Sequence, residues 1–120
     1  MRAIEGRDEL ECIAPTRSAF SGYTRWGCRC QRCYRASRNS SLRRRYGITV
    51  DDYDRMLEEQ EGRCGICEMA VEEHTGHFHV DHCHDTGAVR GLLCVMCNRA
   101  LGILGDTSEG VRRALRYLDT

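Results

Sequence analysis

The chain has 120 residues, of which 41% are hydrophobic and 30% are charged, and its formal net charge is zero. This length predicts one domain, or one small domain with an extension, and it limits the size of the core. The nine cysteines are odd in number, fall in C-x-x-C and C-x-C clusters, and follow no recognisable signal peptide. We therefore expect metal ligands in a reducing compartment rather than disulfides, and the lack of a long apolar run predicts a soluble protein without membrane contact.

The charges are divided unevenly along the chain. Residues 1–47 contain 11 arginines and 4 acidic residues, whereas residues 48–120 contain 7 arginines and 14 acidic residues. This asymmetry predicts a basic N-terminal arm, residues 1–47, that binds a polyanion, followed by a second domain, residues 48–120. All 18 basic residues are arginine, which suits bidentate contacts to phosphate, although a bias in codon usage would equally explain the absence of lysine.

The arm itself gives two competing interpretations. Residues 17–47 are rich in Arg and Ser and show little apolar periodicity, which predicts a loop-rich segment and a linker, with a helix only near residues 42–46. Its cysteines could form a zinc site; they are Cys12, Cys28, Cys30 and Cys33. The alternative is a disordered arginine-rich tail with free thiols, which would still attract backbone phosphates.

A helix is predicted over residues 49–61. Thr49 can cap it, with Asp52 completing a capping box. The apolar residues that begin at Tyr53 recur with helical spacing, and Gly62 can end the helix.

A hairpin is predicted next along the chain. Residues 77–80 and residues 88–94 contain β-forming side chains on either side of the turn sequence DTG. We expect the loop that connects the two strands to carry His82 and His84.

Two further helices are predicted after the hairpin. One covers about residues 95–104 and begins on a pair of cysteines. The last is capped by Asp106 or Thr107 and has an apolar stripe with helical spacing, formed by Val111, Ala114, Leu115 and Leu118. The stripe could pack on its own domain or form a small dimer interface.

Two C-x-x-C pairs match the pattern of a tetrahedral four-thiolate zinc site. They are Cys64 with Cys67 and Cys94 with Cys97. A closed site of this kind has no open coordination position, so we expect a structural zinc; the alternative is free thiols without metal.

A second set of polar residues lies between and just after these pairs, namely Asp81, His82, His84 and Asn98. Carboxylate and amide oxygens suit Mg²⁺ or Mn²⁺, and an imidazole can accept a proton from water near neutral pH. Arg90 and Arg99 could hold a phosphate. The set therefore predicts a hard-cation site that is separate from the zinc.

The run from Tyr46 to Asp106 resembles the phage recombination endonuclease VII family, which are HNH nucleases of the ββα-metal fold. The resemblance covers about half of the chain and depends on four elements in order: C-x-x-C, V-D-H-x-H, T-G-x-V-R-G-L-L-C and C-x-x-C-N. It implies an α+β fold in which a small zinc-stapled ββα-metal (HNH) domain has flanking helices and an Arg/Cys-rich N-terminal arm.

The resemblance also implies roles for individual residues. The cysteines at 64, 67, 94 and 97 correspond to ligands of a structural zinc. Asp81 and Asn98 correspond to ligands of a catalytic Mg²⁺ or Mn²⁺, His82 to the general base, and His84 to a partner of the phosphate or the metal. Cys83 stands where the family usually has a second Asp. The arginines expected to contact DNA are Arg43, Arg44, Arg45, Arg90 and Arg99.

The function implied is a metal-dependent DNA endonuclease that leaves 5′-phosphate and 3′-hydroxyl ends. Branched or distorted DNA such as a four-way junction is the expected substrate, in the cytoplasm of a phage-infected host cell, with a homodimer as a possible assembly. A zinc-stapled DNA-binding module without catalysis is the alternative.

Overall fold

The computed structural model describes residues 10–14 and 18–120. The described helices and strands, in chain order, are α1 (Ala19–Thr24), α2 (Gln31–Tyr46), α3 (Val50–Glu59), β1 (His79–His82), β2 (Val89–Leu93), α4 (Val95–Ile103) and α5 (Ser108–Leu118). This mixture of helices with one small sheet agrees with the predicted α+β class. The chain forms two compact units, residues 1–55 and residues 56–120. None of the helices in the described ranges has the length and apolar character needed to cross a bilayer.

The N-terminal unit is built on the 16-residue helix α2. Cys30 is its N-cap, and Gly47 ends it in the left-handed conformation, with φ +72°, which glycine adopts without steric cost. The helix predicted near residues 42–46 is present as the end of α2, but the prediction of a loop-rich arm before it is wrong, because residues 19–24 and 31–41 are helical as well. The pattern was weak because the buried residues of α2 are only Cys33 and Leu42, and the rest of the helix is polar.

Helix α3 begins as its sequence predicts. The Thr49 N–H donates to Asp52 Oδ2 at 2.9 Å, and the Asp52 N–H donates to Thr49 Oγ1 at 3.1 Å, which is a complete capping box. The Asn39 side chain in α2 accepts a further bond from the Val50 N–H at 2.9 Å. After α3 the Gly62 N–H returns to the Leu57 carbonyl at 2.9 Å, so the predicted role of Gly62 as the stop signal is confirmed.

The C-terminal unit contains the predicted hairpin. Strands β1 and β2 are antiparallel, and Asp81 lies opposite Gly91, with a bulge between Asp81 and His82. His82 pairs with Val89 at the end of β1, so the expectation that both histidines lie in the connecting loop is wrong for His82. The bulge extends the pairing by one residue and leaves only His84 in the loop.

The hairpin contributes side chains to the core of this unit, whose most buried apolar side chains include Leu57, Val71, Phe78, Val80, Leu92 and Leu93. The Gln60 amide pairs with the backbone of β2: its Nε2 donates to the Leu92 carbonyl and its Oε1 accepts from the Leu92 N–H, both at 2.9 Å. A side chain thus satisfies two backbone groups that a third strand would otherwise pair.

Helices α4 and α5 meet at a short turn. Both predicted helices are confirmed, and Thr107 caps α5 by accepting a bond from the Gly110 N–H at 3.0 Å. A Cβ atom at Gly110 would overlap the carbonyl oxygen of Leu104, so this close approach requires glycine. The apolar stripe of α5 remains largely exposed, since Leu115 is 56% and Leu118 is 75% exposed.

Candidate metal centres and catalytic site

The C-terminal unit brings together four cysteines from two segments that are distant in sequence. The Sγ atoms of Cys64, Cys67, Cys94 and Cys97 all lie within 4.8 Å of one another. Cys94 is the N-cap of α4 and Cys97 lies in its first turn, where the Cys97 N–H donates to Cys94 Sγ at 3.4 Å. Four thiolates at this spacing are the donor set of a structural zinc site, so this cluster could bind zinc.

Cys64 is already arranged as a thiolate. Burial raises its pKa, but the N–H groups of Cys94 and Ile66 point at its sulfur, at 3.4 and 3.5 Å, and the net effect lowers the pKa of Cys64 to about 6. Burial instead raises the pKa of Cys97 to about 12. A bound cation would be needed to deprotonate both thiols together, which is how zinc couples to proton release.

His74 supports the same cluster and was not anticipated from the sequence. Its Nε2 accepts a bond from the Val95 N–H at 3.0 Å, and its Nδ1 lies 3.2 Å from the Gly76 carbonyl oxygen. The imidazole therefore caps the first helical N–H of α4, one residue after Cys94. A lone histidine in a loop carries no sequence signal for this role.

The N-terminal unit contains a second cluster with the same construction. The Sγ atoms of Cys12, Cys28, Cys30 and Cys33 also lie within 4.8 Å of one another. As in α4, a helix has one cysteine at its N-cap, Cys30, and another in its first turn, Cys33. The N–H groups of Cys30 and Ile13 lower the pKa of Cys28 to about 6, while burial raises the pKa of Cys33 to about 12. This cluster could also bind zinc.

Glycine is required next to the second cluster. A Cβ atom at Gly22 would lie 2.5 Å from Cys33 Sγ and 3.0 Å from the Ala14 Cβ. The Gly22 carbonyl also accepts the Cys28 N–H at 2.9 Å. Helix α1 can therefore approach the sulfur atoms only because position 22 has no side chain.

Asp81 lies on β1 in the C-terminal unit and is 7% exposed. Both of its oxygens accept bonds from Arg90: Nε donates to Oδ2 at 2.7 Å and Nη2 to Oδ1 at 2.9 Å. This fork geometry is the strong form of an arginine and carboxylate pair. A residue predicted to contact phosphate thus contacts the residue predicted to bind the cation.

Asp106, in the turn between α4 and α5, joins this pair. Its Oδ1 accepts a bond from Arg90 Nη2, and its Oδ2 accepts the His84 N–H at 3.3 Å and lies 3.6 Å from His84 Nδ1. Hydrogen bonding to Arg90 lowers the pKa of Asp106, and bonds to both aspartates raise the pKa of Arg90. The sequence predicted Asp106 only as a helix cap, because its partners come from the hairpin, distant in sequence.

The two histidines lie beside each other, with ring centroids 5.1 Å apart. Between them, Cys83 has a lowered pKa because the Thr86 side chain and N–H stabilise its thiolate.

The remaining residues of the predicted site lie on α4. Asn98 occupies its first turns, where the Asn98 N–H donates to the Cys94 carbonyl at 3.0 Å. Asn98 is half-buried, while Arg99 is exposed. The hairpin and α4 thus carry all the residues of the predicted cation site.

The predicted site includes side-chain oxygen atoms, which are the ligands that hard divalent cations prefer. Mg²⁺ is commonly bound through one or two carboxylates with several waters and substrate phosphate, and Asp81 supplies a buried carboxylate and Asn98 an amide. Among the described residues, the close groups of three or more Cys, His, Asp or Glu ligands are the two cysteine clusters. A cation at Asp81 would therefore share a single protein carboxylate with Arg90.

A basic surface follows the far end of α2 in the N-terminal unit. Arg43, Arg44 and Arg45 are exposed in its last turn. A cavity of about 650 Å³ is lined by Phe20, Ala36, Asn39, Ser40, Arg43 and Arg44. Arg35 belongs to a different face, because it donates to Asp51 and Asp54 at 3.1 and 3.0 Å.

Comparison with known proteins places the chain in a family. The Gene 59 proteins of Mycobacterium phage L5 and Mycobacterium phage D29 are 50% and 49% identical to it over 74 residues, which are 61% of this chain. The match spans 44% of each relative, so the chain corresponds to less than half of their length. No solved structure matches it significantly. A model of recombination endonuclease VII matches residues 39–120, which is more than half of the chain, and the protein therefore belongs to the recombination endonuclease VII family.

Proposed function

We propose that this protein is a metal-dependent DNA endonuclease of the HNH type. The observation that carries the proposal is the pair of adjacent imidazoles, His82 and His84, on the same hairpin as the buried carboxylate of Asp81. The order of β1, β2 and α4, with Asn98 on the helix, is what a ββα-metal unit requires. Membership of the endonuclease VII family supports this chemistry for the arrangement.

The proposed reaction is hydrolysis of a phosphodiester bond. His82 takes a proton from the attacking water, which is the contribution expected of a general base near neutral pH. Asp81 and Asn98 would hold a Mg²⁺ or Mn²⁺ ion, which would neutralise charge that develops on the phosphate and on the leaving oxygen. Arg99 is exposed on the same helix as Asn98, which supports its proposed role in binding a neighbouring phosphate.

The two cysteine clusters have a structural role in this proposal. A zinc ion bound to the cysteines at 64, 67, 94 and 97 ties the start of α4 to the segment before the hairpin, so it fixes Asn98 relative to Asp81 and His82. A preorganised site of this kind depends on the rigidity of its supporting residues. We propose one or two zinc ions per chain, according to whether the N-terminal cluster is filled.

Residues 1–47 are proposed as an arm that binds the DNA backbone through Arg43, Arg44 and Arg45, and residues 48–120 as the catalytic domain. The substrate we propose is branched or distorted duplex, such as a four-way junction, in the cytoplasm of a phage-infected host cell. The exposed apolar stripe of α5 supports a homodimer, because contiguous exposed apolar side chains can form an association surface.

The test is cleavage of supercoiled plasmid by the zinc-loaded protein. We expect nicked circles in Mg²⁺ or Mn²⁺ and none in the presence of EDTA. A four-way junction compared with a matched linear duplex then tests the substrate. Products should carry 5′-phosphate and 3′-hydroxyl ends, which ligation of the nicks can detect.

A second candidate function is a zinc-stapled DNA-binding module without catalysis. The observation that favours it is the pairing of both Asp81 oxygens with Arg90, which is also the arrangement of a purely structural ion pair. Binding of DNA with intact plasmid in Mg²⁺ and in Mn²⁺ would support this function and overturn the nuclease proposal.

A further inference from the structure

Asp106 occupies a turn, yet its side chain is only 11% exposed. Its backbone has φ +57°, in the left-handed region where glycine is favoured and where Asp and Asn are the residues otherwise tolerated. Glycine adopts this conformation without steric cost, and Asp is one of the residues that also tolerate it. The backbone conformation alone therefore does not explain why a carboxylate is buried here.

The contacts of Asp106 supply that explanation. One oxygen binds Arg90, whose guanidinium also holds Asp81, and the other accepts the His84 N–H and faces His84 Nδ1. Asp106 therefore contacts two residues that are predicted to act on DNA, Arg90 and His84. It does so from the turn after α4, which lies outside the hairpin and outside the first turns of α4. Cys83, between the two histidines, offers no carboxylate, and the hairpin's own carboxylate next to His84, that of Asp85, is exposed.

The consequence for His84 follows from the chemistry of imidazole. A carboxylate that faces Nδ1 favours the tautomer in which Nδ1 carries the proton. The lone pair is then on Nε2, on the other side of the ring. The position of the Asp106 carboxylate, 3.6 Å from Nδ1, thus favours Nε2 as the nitrogen of His84 that accepts a proton or contacts a cation or a water molecule.

We propose that Asp106 is a positioning residue of the nuclease site, which sets the tautomer and orientation of His84 and holds Arg90 against Asp81. The inference rests on the proposed nuclease function for its effect on cleavage. Its effect on His84 does not depend on that function, and this difference separates the two in an experiment.

The experiment uses Asp106→Asn and Asp106→Gly in the full zinc-loaded chain. Both replacements tolerate the left-handed backbone, so the turn is preserved while the charge, or the whole side chain, is removed. Asp85→Asn is the matched control, because Asp85 is an exposed carboxylate next to His84 in the sequence. The measurements are imidazole ¹⁵N shifts of His84, zinc content, melting temperature, and kcat and KM for plasmid nicking.

We expect both Asp106 variants to keep their zinc. Asp106→Gly should lose the preference of His84 for the Nδ1–H tautomer, and Asp106→Asn should weaken it, because an amide oxygen can still accept from Nδ1–H but carries no charge. Their kcat should fall by about 10- to 100-fold, the usual effect of losing a residue that orients a catalytic ligand, with little change in KM. Asp85→Asn should match the parent in every measurement. A parental chain that does not cut would refute the nuclease proposal, while the shifts of His84 would still test Asp106.

Two results would overturn the inference. One is an Asp106→Gly protein with the parental His84 shifts and, where the parent cuts, the parental rate. The other is a fall in melting temperature in both variants large enough to account for the loss of cleavage, which would assign Asp106 to the stability of the turn.

Discussion

The close contact between α4 and α5 at Gly110 gives a prediction about stability. The space there admits only the hydrogen atom that glycine has in place of a side chain. Replacing Gly110 with Ala would put a Cβ atom on the carbonyl oxygen of Leu104 and 2.9 Å from its carbonyl carbon. These are backbone atoms, which cannot rotate away as the end of a long side chain can. The two helices must therefore separate, and overpacking of this kind costs about 1–3 kcal/mol.

The expected change in melting temperature follows from this free energy. In a small domain 1 kcal/mol corresponds to about 4–8 °C, so the melting temperature of Gly110→Ala should fall by roughly 5–20 °C. Gly102→Ala is the matched control, because Gly102 lies in α4 and a Cβ atom there would meet no other described atom within 4 Å outside its own helix backbone. Alanine should stabilise that helix by about 0.5–1 kcal/mol.

Thermal unfolding followed by circular dichroism on the zinc-loaded proteins measures both effects. The Gly110 variant should also cut plasmid more slowly well below its melting temperature, because the turn that carries Asp106 moves with the helices. Equal melting curves for the two alanine variants would refute the reasoning, since they would show that the two helices leave room for a side chain at Gly110.

Three further predictions concern the two metal sites and the arm. His82→Ala should lower cleavage by about 10²-fold or more and leave zinc content and DNA binding unchanged. Cys94→Ser should instead lower the melting temperature and the activity together. A His82→Ala protein that cuts at the parental rate would refute the role of this histidine. Elemental analysis should find about two zinc ions per chain, and Gly22→Ala should remove only the N-terminal one; a single zinc in the parent, with the four N-terminal thiols open to alkylation, would contradict the second site. Replacing Arg43 and Arg44 with Ala should weaken DNA binding and reduce its salt slope by about two, and an unchanged slope would exclude these arginines as phosphate contacts.

Features fixed by short spacing were predictable from the sequence. The capping box of Thr49 and Asp52, the stop at Gly62 and the apolar stripe of α5 each involve residues within a few positions of one another, and each is present. The grouping of the two C-x-x-C pairs in one cluster was also predictable, because this spacing is typical of zinc ligands whatever the rest of the fold.

Features that depend on distant residues were not predictable. Helix α2 has no clear apolar periodicity, because few of its residues are buried. Its start lies at the cysteine cluster, which includes Cys12, distant in sequence. The pairing of Arg90 with Asp81 and Asp106 joins β2, β1 and the turn after α4, and no local pattern indicates it. The sequence predicts His82 in the loop, whereas the structure has it at the end of β1. The difference is a bulge of one residue, which leaves no signal in the sequence.

The charges around Asp81 bear on the proposed cation site, which would have to fold without the ion and then bind it. Arg90 carries one positive charge between two carboxylates, Asp81 and Asp106, so this group of three keeps one negative charge. A buried carboxylate without a partner would be costly, and Arg90 removes that cost while the site is free of substrate. If a divalent ion takes an oxygen of Asp81, Arg90 can remain bound to Asp106, and the added charge is then balanced by the phosphate of the DNA. The second aspartate thus allows Arg90 to exchange partners without leaving any charge unpaired, which is why its loss should affect the reaction more than the fold.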